Sequence, residues 1–198
     1  GGKVMDVTTG DLDNRYGTDI VAATDEGEID IFFNSGGSIP FSTPHEFSPT
    51  PGVGIWSIAV GDFDTDGLDD IAYTRPIRKI TVLYQSPTSA FSTSSRSTNL
   101  SHTDGPDFTT IWSGDITGDG KDDIVGMRPS DPSLYLFDQL GFISSPYPYA
   151  TLDLPEVPCC VSVTDATDDG PSDVVAIFSS ADLVFLYRQN GSGLPDIP

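Results

Sequence analysis

Asp62-Phe63-Asp64-Thr65-Asp66-Gly67-Leu68-Asp69-Asp70 runs directly into Ile71-Ala72. Five aspartates in nine residues repel one another, and raise one another's pKa, unless a positive charge lies among them. Counting Asp62 as position one, side-chain oxygens stand at positions one, three, five and nine. Position seven, Leu68, offers its carbonyl, and position six is Gly67, where the backbone must turn sharply. This is the donor set of a hard cation. Ca2+ takes about six to eight oxygens and tolerates irregular geometry. The side chains supply part of that shell; bidentate binding by Asp70 and a water would complete it.

The same loop occurs three more times. Asp115-Ile116-Thr117-Gly118-Asp119-Gly120-Lys121-Asp122-Asp123 offers Asp115, Thr117, Asp119, Asp123 and the Lys121 carbonyl. Asp165-Ala166-Thr167-Asp168-Asp169-Gly170-Pro171-Ser172-Asp173 offers Asp165, Thr167, Asp169, Asp173 and the Pro171 carbonyl. Asp11-Leu12-Asp13-Asn14-Arg15-Tyr16-Gly17-Thr18-Asp19 departs from the scheme: Arg15 replaces the position-five carboxylate, and Tyr16 stands where the others have glycine. Asp11, Asp13 and Asp19 remain, either for a metal or for Arg15 to pair with in its place. We number these loops 1 to 4 in chain order. The expectation is Ca2+ in loops 2, 3 and 4, with loop 1 open between the two readings.

The first aspartates Asp11, Asp62, Asp115 and Asp165 lie 51, 53 and 50 residues apart. A fixed period of this length marks a propeller or solenoid. Branched pairs follow each loop: Ile20-Val21, Ile71-Ala72, Ile124-Val125 and Val174-Val175. Val7, Ile58, Ile111 and Val161 stand four residues before the loops. Ile31, Val82, Tyr135 and Phe185 stand twenty residues after their starts, and Phe33, Tyr84, Phe137 and Tyr187 twenty-two. Even spacing places the last two sets on one face of a strand. Each repeat therefore reads as a strand ending at the loop (Gly54 to Val60), a second (Ile71 to Thr74) and a third (Lys79 to Gln85). Phe91 to Ser101 holds a fourth strand or an outer loop. Twenty glycines and sixteen prolines suit many tight turns, and no run carries helical spacing. The fold expected is all-β, a β-propeller of four repeats near 3–50, 51–103, 104–155 and 156–198, in one domain over 1–198.

Composition narrows the function. A net charge of −21 excludes nucleic acid as a partner, because phosphate binding needs a basic surface. No apolar stretch of about 18 residues is present to span a membrane as a helix. Gly1 to Asp6 carry no apolar core of a secretory leader. Cys159 and Cys160 are the only cysteines, so no long-range disulfide forms within the chain. They read as buried small hydrophobes, a vicinal disulfide, or a bridge to another chain. Asn99 and Asn190 head glycosylation sequons. Only His45 and His102 are available as catalytic imidazoles, and neither sits in a nucleophile arrangement. Paired carboxylates serve glycoside hydrolysis, but a pair repeated in every unit is not the single constellation an active site needs. A non-enzyme is expected.

Gly61-Asp62-Phe63-Asp64-Thr65-Asp66-Gly67-Leu68-Asp69-Asp70-Ile71-Ala72 and its three counterparts, with Gly10 and Gly114 before two of them, resemble the FG-GAP repeats of integrin-alpha-like β-propellers. The resemblance runs through all four repeats, roughly residues 3 to 190. It implies four-stranded blades with Ca2+ in the loop between the first two strands. Family members include adhesion receptors, fungal lectins and modules of polysaccharide-degrading enzymes. It also implies six or seven blades, where this chain has four. Eleven residues follow Tyr187 and ten precede Asp11, too few for one end to lend the other a strand. The expected architecture is a four-bladed propeller, or a partial one completed by copies or partner chains.

The function expected is an extracellular, secreted or cell-surface, calcium-binding module that recognises a glycan or a protein. Trp56, Trp112, Tyr147, Tyr149 and His102 are the candidate contacts, since aromatic faces stack on sugars and dominate interfaces. Both tryptophans lie in first strands, where blade core is the competing reading. The alternatives are an assembly subunit docking through exposed blades, or a module of a polysaccharide-active enzyme.

Overall fold

A computed structural model describes residues 1–37, 41, 43–77, 79–86, 91–101, 106–138, 148, 150–179, 183–189 and 195–196. All elements among them are strands. Blade 1 comprises β1 (Val4–Gly10), β2 (Asp19–Thr24), β3 (Ile29–Phe32) and β4 (His45–Phe47). Blade 2 comprises β5 (Ser57–Gly61), β6 (Asp70–Arg75), β7 (Lys79–Leu83) and β8 (Ser97–Ser101). Blade 3 comprises β9 (Thr110–Gly114), β10 (Asp123–Met127), β11 (Ser133–Phe137) and β12 (Ala150–Asp153). Blade 4 comprises β13 (Cys160–Thr164), β14 (Asp173–Phe178), β15 (Leu183–Gln189) and β16 (Pro195–Asp196). Each blade is an antiparallel meander built wholly from its own repeat, as closely spaced turns dictate. Together they form a four-bladed β-propeller, and the fourth strand in Phe91 to Ser101 is β8.

Three apolar layers join the blades. Val21, Ala23, Ile29 and Ile31 of blade 1 meet Ile58, Val60, Ile71 and Tyr73 of blade 2. Ala72, Ile80, Val82 and Tyr84 meet Ile111, Ile124, Tyr135 and Phe137 of blade 3. Val125, Leu134 and Leu136 meet Val174, Ala176, Phe178 and Tyr187 of blade 4. Each fully buried aliphatic or aromatic side chain contributes about 1.5–3 kcal/mol.

The even-spaced sets do not keep one direction through the four repeats. In blade 2, Ile71 pairs with Leu83 and Ala72 with Val82; in blade 3, Ile124 pairs with Phe137 and Gly126 with Tyr135. The hairpin register differs by one residue, and a one-residue shift sends a strand's side chains to the opposite face. Ile31 and Val82 therefore point toward the following blade, while Tyr135 and Phe185 point toward the preceding one.

The inner edges dock closely. A Cβ on Gly10 would lie 2.2 Å from Val60 Cγ1, one on Gly61 2.7 Å from Asp122 Oδ2, and one on Gly114 2.8 Å from Val163 Cγ1. Glycine is needed there because the next blade fills the space. The equivalent residue of blade 4 is Thr164, which is exposed. The two end faces are likewise uncovered. Val184 is 65% exposed, and its cross-strand neighbour Ile177 and nearby Leu186 are exposed as well. On blade 1, Val7 is 54% exposed. Cys159 and Cys160 are exposed free thiols, so the reading of them as buried hydrophobes is corrected.

Candidate metal centre

All four loops adopt one backbone shape. Positions four and six have positive φ throughout: Asn14 (53°) and Tyr16 (57°), Thr65 (62°) and Gly67 (83°), Gly118 (74°) and Gly120 (84°), Asp168 (59°) and Gly170 (106°). Tyr16 accepts the left-handed conformation that glycine takes in the other loops. That conformation costs a side-chain-bearing residue about 1–2 kcal/mol.

The position-nine aspartate of every loop, and the position-one aspartate of loops 2, 3 and 4, hold that shape. Asp62 accepts Asp66 N and Gly67 N; Asp115 accepts Gly118 N, Asp119 N and Gly120 N; Asp165 accepts Asp169 N and Gly170 N. At position nine, Asp19, Asp70, Asp123 and Asp173 are buried at the first residue of the second strand. Asp70 accepts Phe63 N on one oxygen and Gln85 N on the other, at 3.1 and 2.7 Å. Asp19 repeats this with Leu12 N and Asn34 N. Asp123 takes Ile116 N and Thr117 N, and Asp173 takes Ala166 N and Thr167 N, each pair on one oxygen. These carboxylates fix the loop to its strand pair whatever else they bind. Bidentate binding at position nine is thereby narrowed, since both oxygens of Asp19 and Asp70 already accept a backbone N–H.

Clusters of acidic residues that could bind a metal follow from this shape. Asp11, Asp13 and Asp19 bring one oxygen each within 4.8 Å of the others, as do Asp62, Asp64 and Asp70. Loops 3 and 4 place a threonine, Thr117 and Thr167, at position three. The donors fit a hard cation on an independent observation: Asp11 Oδ1 and Asp64 Oδ1 are buried with no hydrogen-bond donor. A buried carboxylate oxygen left bare is costly, and a cation would satisfy it. The electrostatics agree. Burial, together with Asp64 and Asp66, pushes Asp70 up to about 7 against the pull of the backbone bonds from Gln85 and Phe63. Burial also raises Asp19 and Asp64, with neighbouring loop carboxylates adding to it.

Among the described residues, protein cations lie on three of the loops. Arg96 pairs with Asp64, Lys121 Nζ lies 3.7 Å from Asp119, and Arg188 donates from Nε and Nη2 to Asp169 at 3.2 and 2.9 Å. Arg188 holds the Asp169 carboxyl below its usual range. Arg15 is exposed and forms no ion pair among the described residues, so the reading in which it stands in for a metal is corrected.

Position eight also acts, which the sequence reading missed. Asp69 Oδ2 reaches back to accept Asp11 N of the preceding blade at 2.8 Å, and Asp122 Oδ2 accepts Asp62 N at 3.1 Å. Between blades 3 and 4, Ser172 N donates to the Asp115 carbonyl at 2.7 Å. The doubled aspartates Asp69-Asp70 and Asp122-Asp123 were the available signal. Gln85, Arg96 and Arg188 carried none, because they approach the loops from segments distant in sequence.

The remaining candidates scatter. Trp56 and Trp112 are half-buried; Trp112 packs against the layer between blades 3 and 4 and also lines a central cavity of about 280 Å3 with Asp6, Ser57 and Ser162. His45 Nε2 lies 2.7 Å from the Phe91 carbonyl, between the Phe33 and Phe47 rings. Asn99 is on β8, exposed, with its side chain accepting from Thr81 at 3.0 Å. Tyr147, Tyr149, His102 and Asn190 lie outside the described residues. No helix among the described residues is long and apolar enough to cross a membrane.

No curated protein matches the chain. The family model described as an FG-GAP-like repeat matches residues 11–73, which take in loops 1 and 2 and the strands from β2 into β6, so this stretch carries the repeat that the loops resemble.

Proposed function

We propose that the protein is a non-enzymatic, extracellular module whose loops bind Ca2+ and whose propeller displays a surface for a glycan or a protein ligand. The observation that carries the calcium part is the pair of three-carboxylate clusters with bare buried oxygens, Asp11 Oδ1 and Asp64 Oδ1. Asp62, Asp64, Asp66, Asp70 and the Leu68 carbonyl would hold the ion in loop 2. Their counterparts would hold it in loops 3 and 4, and Asp11, Asp13 and Asp19 in loop 1. A bound ion supplies charge compensation and fixes the loop; the chain's own residues orient it. Calorimetric titration of chelator-treated protein tests this, with three or four sites expected and no heat overturning it. A glycan array tests the recognition part, and turnover of any polysaccharide would overturn the non-enzymatic reading.

A second reading, assembly through the end blades, is favoured by one observation. Val184, Ile177 and Leu186 form an uncovered apolar face on blade 4, and Val7 an uncovered position on blade 1. Docking would bury these side chains, as the inner blade faces are buried. The mass in solution tests it: a monomer at high concentration would count against it.

A further inference from the structure

Arg96 occupies an unusual position. It precedes β8, yet its guanidinium reaches the position-three carboxylate of loop 2, Asp64, while lying 3.7 Å above the centre of the Tyr84 ring. Tyr84 is 2% exposed, so the ring is a fixed platform, and cation–π attraction holds the guanidinium over it. Around this contact is a cavity of about 390 Å3 bordered by Asp64, Asp66, Gln85, Ser92 and Ser95 as well as Arg96. Asp64 has one oxygen on Arg96 and one buried without a donor. Its carboxylate faces two claimants, one protein cation and one divalent ion.

We propose that Arg96 is an internal competitor of the cation at loop 2, seated on Asp64 when the loop is metal-free and displaced into the adjacent cavity when a divalent ion takes that carboxylate. The inference rests on the calcium reading above and adds the device that sets the affinity of one loop. Three facts support it. The pair lies on the carboxylate of a donor residue, through the oxygen beside the bare one, and not at the loop's rim. Arg96 is 56% exposed in its side chain, so leaving Asp64 returns it to water at little desolvation cost. And the cavity beside it leaves room for the guanidinium to withdraw while Tyr84 keeps its place.

The test uses the full chain, its Arg96→Gln variant and Arg96→Lys, with Ca2+ as the probe. In chelator, Arg96→Gln is expected to melt below wild type, because the loop carboxylates lose the protein cation paired with Asp64. In Ca2+ titrations, the same variant is expected to bind one site about five-fold tighter, the scale of a half-exposed ion pair. Arg96→Lys, which keeps the charge without the planar fork, falls between. Adding Asp66→Ala, which weakens loop 2, abolishes the gain and so assigns it to that loop. A merely structural Arg96 would lower the melting temperature equally with and without Ca2+ and leave affinity unchanged; that result, or weaker binding by Arg96→Gln, overturns the proposal. Wild-type protein that takes up no Ca2+ overturns the calcium reading itself, whereas wild-type binding without a change in the variants overturns only the role of Arg96.

Discussion

Loop 1 and loop 2 occupy the same place in neighbouring blades and gather three carboxylates at the same spacing, yet they are held by opposite means. Loop 2 has the glycine its turn requires and a protein cation on its carboxylates. Loop 1 has a strained tyrosine and, among the described residues, no cation: Arg15, the one basic residue in it, is exposed to solvent. Similar backbones therefore come from a loop with compensated charge, strained at Thr65 alone, and a loop with bare charge, strained at both Asn14 and Tyr16. The comparison teaches that the cluster is fixed by the position-nine aspartate and the strand pair beneath it, and that the rest of the loop adapts.

The largest effect should come from breaking what the two loops share. Asp70→Ala would strip Phe63 N and Gln85 N of their acceptor in a buried site, and is expected to destabilise by about 3 kcal/mol, read by urea unfolding. Asp19→Ala should match it through Leu12 N and Asn34 N. An Asp19→Ala effect under about 1 kcal/mol would mean that loop 1 is held some other way. Next is chelation. An ion bound to the native state at a hundred times its Kd stabilises by about 2.7 kcal/mol. The melting temperature in excess chelator should thus fall by several degrees, and an unchanged value would rule out a structural role for the metal.

pH sharpens the contrast further. Burial raises Asp19, Asp64 and Asp70 in the folded chain, Asp70 to about 7. A carboxyl raised on folding adds stability below its ordinary range and loses it as pH climbs through the raised value. Metal-free protein should accordingly melt higher at pH 5 than at pH 8. Saturating Ca2+ should shrink that gap, because the ion favours the ionised form. A metal-free protein that gains stability toward pH 8 would contradict the arrangement. The smallest change is Tyr16→Gly, which removes the strain at φ 57° but adds freedom to the unfolded chain. A net gain of about 0.5–1 kcal/mol is expected in thermal melting. Destabilisation instead would show that the Tyr16 ring, which lies beside Gly36, packs more than it strains.

Much of this architecture could be read before any coordinates. The recurrence of the loop sets the number of blades, because each loop joins first and second strands, and the aspartate spacing sets the cluster. Two things escaped. The hairpin register could not be read because a one-residue shift leaves the apolar alternation intact while reversing its direction; Val82 and Tyr135 share a repeat position and face opposite neighbours. The roles of Arg96, Gln85 and Arg188 were hidden because each reaches its loop from elsewhere in the blade, and spacing within a loop carries no record of what arrives from outside. Even Arg15, read from its place in the loop as a stand-in for the ion, turned outward.

The carboxylates of Asp69 and Asp122 each belong to one blade and tie down the loop of the blade before. A wedge-shaped unit fastened in this way cannot be pulled from the row without loosening the one it overlaps, much as a roof tile cannot. Thermal or chemical disruption should then begin at blade 4, where Thr164 takes the place of glycine and no later tile overlaps among the described residues, and travel inward from that eave.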